Sequence, residues 1–199
     1  MAVTMDQIKE LRQSTGAGVL DCKKALEQTD GDMVKAAEIL REKGLLAAAK
    51  KADRQAAEGR VEVYVHPGSK LVGVVVLNCE TDFVARTEGF IALAHDLAMQ
   101  VAAVAPRWIS RSDIPEQVLA EEKATFADDI QGKPAPVVDR IIEGKLAKFY
   151  QQNCLLDQPF IKDDSKTVDQ LIKESIARIG ENIIVSRIER LTIEAPAAC

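Results

Sequence analysis

The side chains that could do bond-making chemistry are few and scattered. Cys22, Cys79, Cys154 and Cys199 form no Cys-x-x-Cys pair, so a metal knuckle is not expected. His66 and His95 are the two histidines, and a hydrolase or lyase built on Asp82 with either would need an activated nucleophile, a phosphate loop or a metal set. None accompanies them. The stretch richest in contact chemistry is Asn78-Cys79-Glu80-Thr81-Asp82-Phe83-Val84-Ala85-Arg86, where an apolar run ends and an acid stands beside an aromatic. Aromatics make up only 4% of the chain, so Phe83 demands a reason.

Leu71 to Leu77 is aliphatic apart from Gly73 and reads as a buried strand, and the residues after Arg86 turn helical. Asp82 and Phe83 therefore stand at a strand-to-helix junction, from which side chains can project. Two readings stay open on local grounds. In one, Thr81 is an N-cap, Asp82 favours the helix dipole and Phe83 packs inward; in the other, the pair faces a partner.

Three short helices should precede this junction. Thr4 caps a run with Met5, Ile8 and Leu11 at helical spacing; Gly16 and Gly18 break it. Val19 to Thr29 follows with Leu20, Ala25 and Leu26 inward and Lys23 and Lys24 outward. Asp32 then caps a helix bearing Met33, Ala36, Ala37 and Leu40 that Gly44 ends. The pattern suggests a ubiquitin-associated-like module over 1–54, linker included. Residues 55–199 would be a core domain. Val61 to Val65 and Leu71 to Leu77 make a hairpin about His66-Pro67-Gly68-Ser69-Lys70. A helix bearing Phe90, Leu93, Ala94, Leu97, Ala98, Val101 and Ala102 covers one of its faces. Trp108 and Ile109 form an extended link. Helices over Pro115 to Gln131 and Pro134 to Gln151 then form a helical-hairpin arm, about 113–151. A last helix, Thr167 to Ile179, leads into a strand from Ile183 to Ile193. The expected class is α+β: a three-helix module, then a three-stranded antiparallel sheet with packed helices and an arm.

The totals fit a globular protein with a substantial core. Net charge is −5 at pH 7, and residues 1–60 carry 11 Lys plus Arg against 10 Asp plus Glu. That balance argues against direct nucleic-acid binding. Without a leader or a long apolar span, a cytoplasmic protein with reduced thiols and no membrane association is expected. Cys199 could cross-link two chains on oxidation, with an inert terminal thiol as the alternative.

Three separated stretches point to one family. Thr15-Gly16-Ala17-Gly18-Val19-Leu20-Asp21-Cys22-Lys23-Lys24-Ala25-Leu26, then Asn78 to Ala85, then Gln158-Pro159-Phe160 closely resemble elongation factor Ts. Glu143-Gly144-Lys145-Leu146 and Ile179-Gly180-Glu181-Asn182 extend the resemblance over essentially the whole chain. It implies a translation elongation factor that binds elongation factor Tu, GDP-bound or nucleotide-free, and promotes exchange of GDP for GTP. In that family the N-terminal module grips the GTPase domain and an Asp-Phe pair pushes between its helices, disturbing Mg2+ and phosphate binding.

Carried over by motif, the resemblance implies partner contacts at Val19, Leu20 and Lys23, and Mg2+ dislocation from the partner by Thr81, Asp82, Phe83 and Val84. It implies no catalytic residue, no metal and no cofactor of the chain's own. Longer family members have two related core halves and this chain shows one, so it resembles the short form, with a homodimer as the expected working unit. Where the family often has a histidine, this chain reads Met99-Gln100-Val101. A ubiquitin-like or nascent-chain adaptor is the alternative function, which the N-terminal bundle alone could serve.

Overall fold

The computed structural model describes residues 3–193, the side chain of Asp128 apart; Cys199, and with it the expected terminal thiol chemistry, lies outside the described residues. The class is α+β, with N-terminal helices, a three-stranded antiparallel sheet and further helices. Contacts divide the chain into two compact units. One holds the residues up to Gly59 with Asn78–Leu93 and Gln170–Ile184, and the other holds Arg60–Leu77, Ala94–Asp169 and the strand from Val185 onward.

In the first unit, α1 (Met5–Thr15) begins with a reciprocal capping box in which Thr4 Oγ1 accepts from Gln7 N and Gln7 Oε1 accepts from Thr4 N. It ends at Gly16, whose left-handed φ of 69° a side chain would strain. α2 (Val19–Gln28) and α3 (Met33–Ala49) complete the bundle, and Asp32 caps α3 by accepting from Val34 N and Lys35 N at 3.1 Å. Ile8, Leu11, Cys22, Ala25, Leu26, Ala36 and Leu40 form the bundle core.

Two expectations fail here. Leu20, read as inward, is 72% exposed, because Cys22, Ala25 and Leu26 set the buried stripe and Leu20 lies about 200° around the helix from Cys22. Gly44 does not end α3. It lies inside the helix, where a Cβ would stand 3.2 Å from Ala177 Cβ, so its role is close packing.

The sheet is formed by β1 (Glu58–Val65), β2 (Leu71–Cys79) and a late strand that becomes β5, in the order β1-β2-β5. β2 is not buried on both faces. Gly73, Val75, Leu77 and Cys79 are buried while the residues between them are half-buried. A one-turn α4 (Asp82–Ala85) precedes α5 (Glu88–Val104), whose seven expected apolar positions from Phe90 to Ala102 are all buried. α5 lies so close to β2 that a Cβ on Gly73 would come within 2.1 Å of Ala98 O.

The expected first arm helix is two. α6 (Glu116–Ala124) stops where Thr125 Oγ1 donates to Glu122 O at 2.6 Å, and α7 (Ala127–Ile130) restarts after Phe126, whose ring is buried. Such hydroxyl back-bonding competes with helix continuation. α8 (Ala135–Asn153) runs back, with Lys145 over the Phe126 ring and paired to Asp129. The arm's base has its own small core of Ile114, Phe149 and Cys154, with Trp108 packed on it and bridged to Cys154.

A two-stranded hairpin follows, β3 (Pro159–Phe160) with β4 (Asp163–Thr167), where no strand was expected. Two residues are too short to show a period. α9 (Val168–Ile179) then leads to β5 (Ile184–Thr192). Ser186 Oγ donates to Val76 O and Ile193 N to Lys70 O, which sets β5 antiparallel to β2.

The sheet's open face is apolar. Glu62 bonds His95 of α5, so Arg60, Glu62 and Tyr64 face the helix while Val61, Val63 and Val65 face away, 61%, 48% and 51% exposed. No helix among the described residues is long and apolar enough to cross a membrane.

Candidate functional site

The junction after β2 is built from the backbone outward. Cys79 is buried, and its thiol donates to Thr81 O at 3.1 Å; burial, then the nearby Glu181 carboxylate, push its pKa up. Thr81 is extended (φ −130°, ψ 153°) and caps α4, its Oγ1 accepting from Val84 N at 3.4 Å. One turn later Thr87 Oγ1 donates to Val84 O at 2.8 Å, closing the other end. The helix anchors through buried Ala85 and half-buried Val84.

Phe83 sits about 200° around the helix from Ala85 and its residue is 79% exposed, the highest exposure among the large hydrophobics of the described chain. The capped helix start expected at Thr81 is present; the inward-packing reading of Phe83 is overturned. Asp82 lies beside it, its carboxylate accepting from Arg86 Nη2 at 2.8 Å in a largely exposed i, i+4 pair. An uncovered ring next to a carboxylate, on a single capped turn at the end of a strand, is shaped for contact with another molecule.

The junction is also held from far along the chain. Glu80 N and Thr81 N donate to Glu181 Oε2 at 3.1 and 3.0 Å, and Thr81 Oγ1 donates to Glu181 Oε1 at 2.7 Å. Asn182 N donates to Glu80 Oε1 at 2.7 Å, and Asn182 Nδ2 donates to Ala52 O and Arg54 O. Sequence reasoning missed these supporting roles. Ile179-Gly180-Glu181-Asn182 reads from its composition as a turn, and nothing in it signals the contact with Thr81.

Val19 and Leu20 open α2 with exposed side chains, and Lys23 pairs weakly with Glu27 at 3.6 Å. These residues and Thr81 to Val84 belong to the same compact unit. Gln100 is fully buried, its Nε2 donating to Gln158 Oε1 and Pro159 O at 3.1 Å and its Oε1 accepting from Ile161 N at 2.9 Å. Gln100 is therefore an internal amide tie between α5 and the segment from Gln158 to Ile161.

The histidines are engaged elsewhere, His66 with the Tyr64 hydroxyl at 3.2 Å and His95 with Glu62 at 3.3 Å. Cys22, Cys79 and Cys154 are buried free thiols, and burial raises Cys154 to about 11. Among the described residues no His, Cys, Asp and Glu cluster could hold a metal ion.

The family profile for elongation factor TS matches residues 4–176. A relative from Herpetosiphon aurantiacus, named elongation factor Ts, is 51% identical over 195 residues, covering 97% of this chain and 98% of its own. Relatives of the same name from Moorella thermoacetica and Thermotoga neapolitana are 54% and 53% identical, covering 94% and 97% of this chain and 93% and 98% of theirs. Identity at this level, end to end across the described units, means that the chain belongs to the elongation factor Ts family.

Proposed function

We propose that the protein is a guanine nucleotide exchange factor acting in the cytoplasm on elongation factor Tu, binding it GDP-bound and nucleotide-free. The observation that carries this reading is the exposed Phe83 ring, 79% exposed beside Asp82 on a capped turn. Val19, Leu20 and Lys23 grip the GTPase from the 1–54 module. Phe83 enters the partner as a wedge, with Thr81, Asp82 and Val84 shaping the segment that displaces Mg2+ from its supports. Mg2+ demands near-ideal octahedral geometry, so a small displacement of its ligands weakens nucleotide binding steeply.

The work is differential binding. A thousandfold faster GDP release corresponds to about 4 kcal/mol. Burial of one Phe ring supplies about 1.5–3 kcal/mol, so the gripping surface contributes the rest. No covalent intermediate forms and the chain needs no cofactor. By reciprocity, GDP loosens the factor as much as the factor loosens GDP.

The working unit is a homodimer of chains paired through 55–199. The open face of the sheet supports this: Val61, Val63 and Val65 with half-buried Val72, Val74 and Val76 reverse the usual polar-out pattern of an uncovered antiparallel sheet.

The test is release of fluorescent GDP from the cognate elongation factor Tu in stopped flow. Acceleration by catalytic amounts of the protein is expected; release at the spontaneous rate would overturn the reading.

A further inference from the structure

We propose that Glu181 is the positioning residue of the Asp82–Phe83 turn, so that a carboxylate 100 residues away sets how the wedge is presented. The inference rests on the exchange reading above and assigns a role to a residue outside the Thr81 to Val84 segment.

The geometry points to this in three ways. First, the site is an anion clamp in miniature. Two successive amides, Glu80 N and Thr81 N, converge on Glu181 Oε2 while the Thr81 hydroxyl takes Oε1 at 2.7 Å, a charge-assisted length. Second, the clamp dictates the cap. With its proton committed to Glu181, Thr81 Oγ1 can only offer a lone pair to Val84 N, the bond that starts α4. Third, the turn's other ties are local: the Cys79 thiol, the Thr87 hydroxyl and the packing of Ala85 and Val84. α4 is four residues long, Phe83 is uncovered, and the Asp82 to Arg86 pair is itself exposed.

Asn182 doubles the tie by donating to Glu80 Oε1 and reaching Ala52 O and Arg54 O, so one loop fastens the turn to the end of the N-terminal helices. A turn fixed before encounter loses less freedom on binding, and that gain is realised where Phe83 enters the partner.

The test is stopped-flow release of fluorescent GDP from elongation factor Tu at increasing concentrations of the full-length protein, comparing wild type, Glu181→Gln, Glu181→Asp, Phe83→Ala and the Glu181→Gln/Phe83→Ala double variant. Glu181→Gln is expected to lower the maximal rate about tenfold and to move the half-saturating concentration less than about threefold. Its effect should vanish in the Phe83→Ala background. Glu181→Asp, which keeps the charge, should recover part of the loss, and hydrogen exchange at the Thr81 amide should quicken in Glu181→Gln.

An undiminished maximal rate, an equal loss with Phe83 already removed, or unchanged exchange at the Thr81 amide would each overturn the proposal while leaving the exchange reading in place. Wild-type protein that fails to accelerate release would instead overturn the exchange reading and the clamp with it.

Discussion

At the scale of single residues, exposure separates function from stability. Because Phe83 touches little of its own chain, Phe83→Ala should slow stimulated GDP release at least about tenfold while shifting the thermal midpoint by no more than about 2 °C. Unaltered exchange with normal binding would remove the wedge role. Lys23 pairs only with an exposed Glu27, so Lys23→Ala should weaken association with elongation factor Tu without unfolding α2. Titration calorimetry giving wild-type affinity would show that Lys23 is not a contact.

Asp32 behaves differently. Its carboxylate is held below the ordinary aspartate range, foremost by the Lys35 amide it caps. A lowered folded pKa stabilises above the unfolded value and loses that contribution as pH falls through the folded one. Melting curves between about pH 5 and pH 2 should therefore fall less steeply for Asp32→Asn than for wild type.

At the scale of elements, close approach is what a sequence conceals. Gly73 interrupts an otherwise aliphatic strand, and its reason lies in α5: Gly73→Ala would drive a methyl group against the Ala98 carbonyl. A loss on the order of 3 kcal/mol in urea unfolding is expected. The periodicity of α5 was fully legible because seven apolar residues repeat over it. The outward face of Leu20 was not, since a single leucine at the start of a ten-residue helix fits either side. The split at Thr125 was equally hidden, because it depends on one hydroxyl choosing the Glu122 carbonyl.

The candidate site divides along the same line. The Thr81 cap could be read from residue type, and Asp82 with Phe83 from their place after the strand. The Glu181 clamp could not, since nothing local to residues 78–86 announces a carboxylate from the far end of the sequence.

At the scale of the molecule, the sheet face carries the assembly prediction. Sedimentation velocity at micromolar concentration should give a dimer, and Val63→Glu should shift it toward monomer while leaving the unfolding transition in place, since Val63 points away from α5. A wild-type monomer would exclude the homodimer.

The Glu181 clamp also has a consequence for the order of events during synthesis. Bringing Glu181 to Thr81 closes a loop of about 100 residues, at a chain-entropy cost of about 4 kcal/mol. Strand β5, which flanks β2 in the sheet, lies beyond Glu181 in sequence. A nascent chain can thus build its three-helix bundle early, yet it finishes the turn that carries Phe83 only after α9 has left the ribosome. On the proposed reading, truncated products would carry the gripping surface without an ordered wedge, and the exchange activity would arrive last, once Glu181 is in place.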